Sequence, residues 1–178
     1  MFTYRAAAAV SSVWPSTAVS EASTPVTVSG SGFQSVSESL GYLMCRFNTT
    51  SVRAAWVSET SIVCNTSSVS LPGVVSVEVS TNGRDFSSGG AQYEFVSALV
   101  SSLTPWSGPA AGGTVVTLGG SGLAVDTESL RCRFGGEGAV WASVHGGVGV
   151  RCVTPSSAST GWVSVELLSH SEVLQSGS

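Results

Sequence analysis

The chain has 178 residues, no lysine, seven arginines against eleven acidic residues, and a net charge of −4. Only 10% of its residues are charged, against roughly 25% in an average soluble domain, and serine fills the difference with 35 copies. A phosphate-binding surface needs clustered cations for counterion release, so nucleic acid is excluded as a partner. The longest apolar run, residues 6–10, is far too short to span a bilayer, which excludes direct membrane insertion by a helix. No charged, apolar and cleavage regions open the chain, so Met1 is not expected to begin a complete secreted precursor.

In chain order, Val10-Ser11-Ser12-Val13-Trp14-Pro15 returns as Val100-Ser101-Ser102-Leu103-Thr104-Pro105. Thr27-Val28-Ser29-Gly30-Ser31-Gly32-Phe33 returns as Thr117-Leu118-Gly119-Gly120-Ser121-Gly122-Leu123. Cys45-Arg46-Phe47 returns as Cys132-Arg133-Phe134, Cys64 as Cys152, and Val75-Ser76-Val77-Glu78-Val79 as Val163-Ser164-Val165-Glu166-Leu167. A period of 87 to 90 residues means one structural unit in tandem, with small drifts from loop insertions. Half the chain is a normal size for a β-sandwich.

The elements read as strands almost throughout. Residues 26–28, 61–64 and 74–79 are β-branched runs bounded by Gly, Ser, Pro and Asn. Val75, Val77 and Val79 alternate with Ser76, Glu78 and Ser80, the period of a half-buried strand. No window of a dozen residues has apolar positions at helical spacing with caps, and residues 40–44 read as the lead-in to a strand. The fold class expected is all-β, two tandem immunoglobulin-like sandwiches. In Gly30-Ser31-Gly32 and its repeat, the glycines are expected to supply positive φ for a tight turn. A phosphate cradle would need a helix after the glycines, and none follows.

Each unit carries two cysteines, and four cysteines allow three pairings. Equivalent residues in equivalent folds make equivalent bonds, so Cys45 is paired with Cys64 and Cys132 with Cys152. No C-x-x-C pair exists, and His145 and His170 occupy unmatched places, so no metal site is expected. The one close acidic pair, Asp126 and Glu128, reads as a solvated loop ahead of a weak calcium site. Enzyme signatures are missing too: neither Ser31 nor Ser121 lies in G-x-S-x-G, and the histidines fall in turn-like sequence. The expectation is no catalytic residue and no cofactor.

The string from Gly112 through Gly113-Thr114-Val115-Val116-Thr117 to Leu123, then Cys132-Arg133-Phe134-Gly135, then Cys152-Val153-Thr154-Pro155, resembles an IPT/TIG domain. That immunoglobulin-like family occurs in plexins, related receptors and some transcription factors. The preceding Leu103-Thr104-Pro105 and Gly108-Pro109 resemble its opening strand and turn. The first unit is more divergent, with Ser23-Thr24-Pro25 where the second has Gly113-Thr114-Val115. The resemblance implies a compact two-sheet sandwich, used in extracellular arrays and without catalytic residues of its own. An intracellular dimerisation or DNA-binding member is disfavoured by the missing basic patch.

Asn48-Thr49-Thr50 and Asn65-Thr66-Ser67 are N-glycosylation sequons. Both fall where the first unit departs from the second, so an N-linked glycan on Asn48 or Asn65 is expected. Trp56 and Trp141 read as matched structural residues near the cysteine strands. Trp14, Trp106 and Trp162 read as covering the junction between units, ahead of sugar-stacking platforms. The short apolar stretch Val96-Ser97-Ala98-Leu99 predicts a semi-rigid pair, against which a broad spread of inter-unit angles in small-angle scattering would count.

Residues 1–5, with Phe2 and Tyr4 echoing Tyr93-Glu94-Phe95, read as the final strand of an upstream unit. Residues 6–96 read as the first sandwich. Residues 97–178 read as the second, lacking its last strand and leaving an edge beside residues 163–168. The functional expectation is a structural or adhesive segment of a large extracellular or cell-surface glycoprotein, such as a filament or coat. Its partners would be other repeats of the same parent chain or neighbouring copies. The alternative is a module of a receptor or secreted enzyme that binds a protein or carbohydrate ligand.

Overall fold

The computed structural model describes residues 7–20, 22–66, 72–123, 129–146, 149–169 and 172–177. The expected upstream strand at residues 1–5, Asp126 and Glu128, and His170 lie outside them. Two compact units result, one running to Phe95 without residues 19–22, the other taking those four and everything from Val96 on.

The first unit contains β1 (Ala9–Trp14), β2 (Thr17–Val19), β3 (Pro25–Ser31), α1 (Ser35–Ser39), β4 (Met44–Phe47), β5 (Thr50–Ser58), β6 (Ser61–Asn65), β7 (Gly73–Ser80) and β8 (Ala91–Val96). The strands run in the order β1-β3-β6-β5-β4-β7-β8-β2, and the pairings from β1 through to β8 are antiparallel. The long strand β5 turns this ribbon into two layers. Its first half, up to Arg53, pairs with β4, and from Ala54 onward it pairs with β6. Inward residues of both halves then meet in one core. Val26, Val28 and Ile62 come from one layer, and Phe47, Val77, Val79, Tyr93 and Phe95 from the other. Phe47, Tyr93 and Phe95 pack edge to face, with ring centroids 5.0–6.2 Å apart.

The second unit repeats the plan with β9 (Leu99–Thr104), β10 (Val115–Ser121), β11 (Arg131–Phe134), β12 (Val140–His145), β13 (Gly149–Val153), β14 (Val165–Ser169) and β15 (Glu172–Gly177). Here β12 changes partners between Trp141, opposite β11, and Ala142, opposite β13. The repetition reaches single hydrogen bonds. Thr24 N–H donates to Thr66 Oγ1 at 2.8 Å, and Thr114 N–H to Thr154 Oγ1 at 3.1 Å. Arg46 Nε donates to Glu78 at 2.8 Å, and Arg133 Nε to Glu166 at 2.6 Å, each across a strand pair.

Each disulfide joins the strands on either side of the strand that changes layers. Cys45 on β4 is bonded to Cys64 on β6, and Cys132 on β11 to Cys152 on β13, both with Cα atoms 6.3 Å apart. The bridges therefore staple the two layers of each sandwich through its core. Their sequence separations of 19 and 20 residues close loops worth about 3 kcal/mol in the chain-entropy account. A C45A/C64A double variant is expected to lose about that much stability, read as a lower urea midpoint for the first unit.

Three readings change. The helix α1, ended by Gly41 at φ 72°, spans only five residues, too few for a periodic signal. Trp56 and Trp141 are not equivalent: the register sets Arg53 against Met44 as it sets Trp141 against Arg131. Trp56 thus corresponds to Val144, facing Ile62 and Val150 respectively. Trp56 packs partly buried on the first core, while Trp141 is exposed with the Arg131 guanidinium 4.1 Å from its ring.

The third change concerns the edge of the second unit. Beside β14 stands β15, paired from Ser169↔Glu172 to Val165↔Gly177, so a strand does occupy that edge. In the second unit β14 ends at Ser169 and β15 begins at Glu172, where the first unit spends residues 81–90 between β7 and β8. The strand therefore arrives earlier than a constant period predicts. Its register also limits it, because Val165↔Gly177 corresponds to Val77↔Ala91. The positions matching Val75↔Tyr93 and Gly73↔Phe95 lie beyond the described ladder.

Candidate functional site: an apolar groove in the second unit

A groove of about 700 Å³ opens in the second unit. Its floor is core: Val116 and Leu118 of β10 and Phe134 of β11. One wall is the stretch from Gly161 to Val165 leading into β14, and the other runs from Pro105 to Pro109 after β9. At the rim, Trp106 and Trp162, 72% and 90% exposed, stack with ring centroids 6.2 Å apart and planes 16° from parallel. Polar residues line it as well, among them Ser102, Thr114, Glu137, Thr154, Ser157 and Thr160.

The first unit explains the groove's shape. There, the counterparts of the floor are Val26, Val28 and Phe47, and Tyr93 and Phe95 lie over them within one buried cluster. Among the described residues of the second unit no aromatic pair lies over the floor, and its residues are less buried. Val75 is half-buried where its counterpart Val163 is 51% exposed, and Phe47 is 1% exposed against 7% for Phe134. Trp106 and Trp162 both belong to this groove. The expectation that they cover a junction placed them by their lack of repeat partners, a signal equally suited to a feature of one unit alone.

The other expected sites sit at surfaces. Asn48 is exposed in the turn between β4 and β5, with φ 55°, matching Gly135 at φ 57°. Their amides donate to Ser76 O at 3.2 Å and Ser164 O at 2.8 Å, so the two turns share one geometry. Asn65, also exposed, ends β6, while Thr66 beside it is buried and Ser67 lies outside the described residues. His145 ends β12, exposed. Among the described residues no three His, Cys, Asp or Glu side chains gather as metal ligands.

Two disulfide-stapled immunoglobulin-like sandwiches in tandem define the class. The family profile of the IPT/TIG domain matches residues 8–95 and 98–178, and the chain belongs to that family. Human Plexin-A3 is 29% identical over 136 residues, an alignment covering 70% of this chain and 7% of Plexin-A3. The solved full extracellular region of Plexin A4 superposes with a TM-score of 0.70 at 20% identity, covering 93% of this chain and 17% of that one. A second structure of that region gives 0.66 at 16% identity, covering 91% and 14%. The structural likeness shows the fold, and this chain spans only a small share of these relatives' length.

Proposed function

We propose that the chain is a non-catalytic structural or adhesive segment of a large extracellular or cell-surface glycoprotein. The observation that carries this is the repeated staple: both units place a disulfide across their two layers. Such bonds form and persist in oxidising compartments and are rare where glutathione keeps thiols reduced. The likeness to the Plexin A4 extracellular region supports the same compartment. No helix among the described residues is long and apolar enough to cross a membrane.

Asn48 supports the glycoprotein half of the reading. An exposed sequon asparagine in a two-residue turn is accessible to the glycosylating enzyme. Expression through a eukaryotic secretory pathway is expected to give protein with no free thiol and a glycosidase-sensitive mass shift. An Asn48→Gly variant should lose that site's glycan yet keep its stability within about 0.5 kcal/mol, because glycine takes positive φ at no steric cost. Free cysteines together with no glycan in secreted material would sink the extracellular assignment.

The groove favours a second reading, a ligand-binding module. A glycan array on the purified protein separates the two, since clear sugar selectivity would favour binding over a structural role.

A further inference from the structure

The loop joining β7 to β8, residues 81–90, is organised around one exposed side chain, Asn82. Its Oδ1 accepts three hydrogen bonds, from Ser80 Oγ at 3.1 Å, Arg84 N–H at 2.9 Å and Asp85 N–H at 2.8 Å. Its Nδ2 donates to Asp85 Oδ2 at 2.8 Å. The next residue is Gly83, in the left-handed region at φ 74°. The turn closed between Oδ1 and Arg84 N–H contains both Asn82 Cγ and Gly83 N. The side-chain carbonyl and the backbone nitrogen able to attack it therefore share one tight ring, and glycine puts no side chain beside that nitrogen. Asn48 and Asn65, the other asparagines, are each followed by threonine, whose branched Cβ crowds the amide.

We propose that Asn82 is a site of spontaneous deamidation through a cyclic imide, and that its product unlocks the loop. Gly83 N gives its proton to a base in the solvent and bonds to Cγ, placing the negative charge of the tetrahedral intermediate on Oδ1. That oxygen already faces three donors, two of them backbone N–H groups, the arrangement that stabilises a developing oxyanion. Holding both reacting groups in one ring supplies the proximity that a bimolecular attack lacks. The intermediate collapses by breaking the Cγ–Nδ2 bond, and Nδ2 leaves as ammonia with a proton taken from water. Water then opens the imide at one carbonyl or the other, leaving aspartate or isoaspartate at position 82. The new charge faces Asp85. A donor to its carboxylate becomes a second carboxylate, and like charges that close repel. The loop is anchored by Phe86, whose ring centroid lies 4.1 Å from the Arg46 guanidinium, and by Ser87 Oγ, which accepts from Val79 N–H at 3.0 Å. Repulsion at position 82 therefore pulls on contacts to both β4 and β7.

The test holds the intact, non-glycosylated protein in mildly alkaline buffer and follows its peptides by mass spectrometry, with isoaspartate counted enzymatically. Conversion at Asn82 is expected to run at least about tenfold faster than at Asn48 or Asn65, with amide exchange rising over residues 82–87 as product accumulates. Ser80→Ala removes one of the three donors and should slow the conversion by about threefold or more. Two exposed substitutions isolate the consequence. Asn82→Asp should show the raised exchange at once, whereas Asp85→Asn should still convert but without the rise, because its side chain carries no charge. Conversion at Asn82 no faster than at Asn48 overturns the proposal. So does a Ser80→Ala protein that converts faster than the parent, which would mean that the hydrogen bonds guard the amide. An Asn82→Asp protein whose loop exchanges like the parent's would overturn the unlocking.

Discussion

Replacing Phe47 by alanine is expected to cost the first unit about 3–5 kcal/mol, the usual loss for a fully buried phenylalanine. The same change at its counterpart, Phe134→Ala, should cost the second unit about 1–2 kcal/mol less. Phe47 is 1% exposed and held edge to face by Tyr93 and Phe95. Phe134 has the groove above it, so truncation removes fewer contacts and water can enter the space left behind. Urea unfolding, with amide signals of each unit followed separately, checks the difference, since the units need not unfold together. Equal losses would mean that the second core is as well packed as the first and that the groove is no packing deficit.

The parts of the fold legible in the sequence are those where side-chain type repeats. Cysteine, the Arg-Glu cross-strand pairs and the valine alternation recur because both sandwiches need the same staple, the same register and the same inward face. Register itself was harder to read. Aligning Trp56 with Trp141 matched residue type and missed the ladder, which places Arg53 opposite Met44 and moves the equivalence by three positions. The groove was not legible in the sequence, because the register of β15 on β14, with a shift between Leu167 and Leu168, is not written in residue type. The five-residue helix α1 lies below the length at which helical periodicity can be recognised.

Glycine was read correctly in place and only partly in cause. Gly32 and Gly122 do sit at φ 79° and 67°, as a tight turn requires. Gly30 and Gly120 lie within β3 and β10, opposite a bulge where β1 and β9 each carry an extra residue. The extra residues, Ser11 and Ser101, donate their hydroxyls to Ser29 O at 3.0 Å and Gly119 O at 3.3 Å. At the bulge the neighbouring strand's backbone comes close to the glycine. A Cβ on Gly30 would stand 2.0 Å from Ala9 O, and one on Gly120 would stand 1.8 Å from Leu99 O. Both obstacles are backbone, which cannot swing aside as a side chain can. Gly120→Ala must therefore break the β9–β10 ladder or displace β9, with an expected cost of about 3 kcal/mol or more, at the upper end of overpacking effects. Gly138→Ala is the matched control, because no heavy atom lies within 4 Å of its new Cβ and its φ is not positive. It should change stability by less than about 0.5 kcal/mol. Amide hydrogen exchange locates the damage: in the Gly120→Ala protein, protection should fall first along β9 and the facing half of β10, while β13 and β12 keep theirs longer. A Gly120→Ala protein as stable as the parent would show that the bulge can relax, and that glycine stands there for some reason other than the approach of Leu99 O.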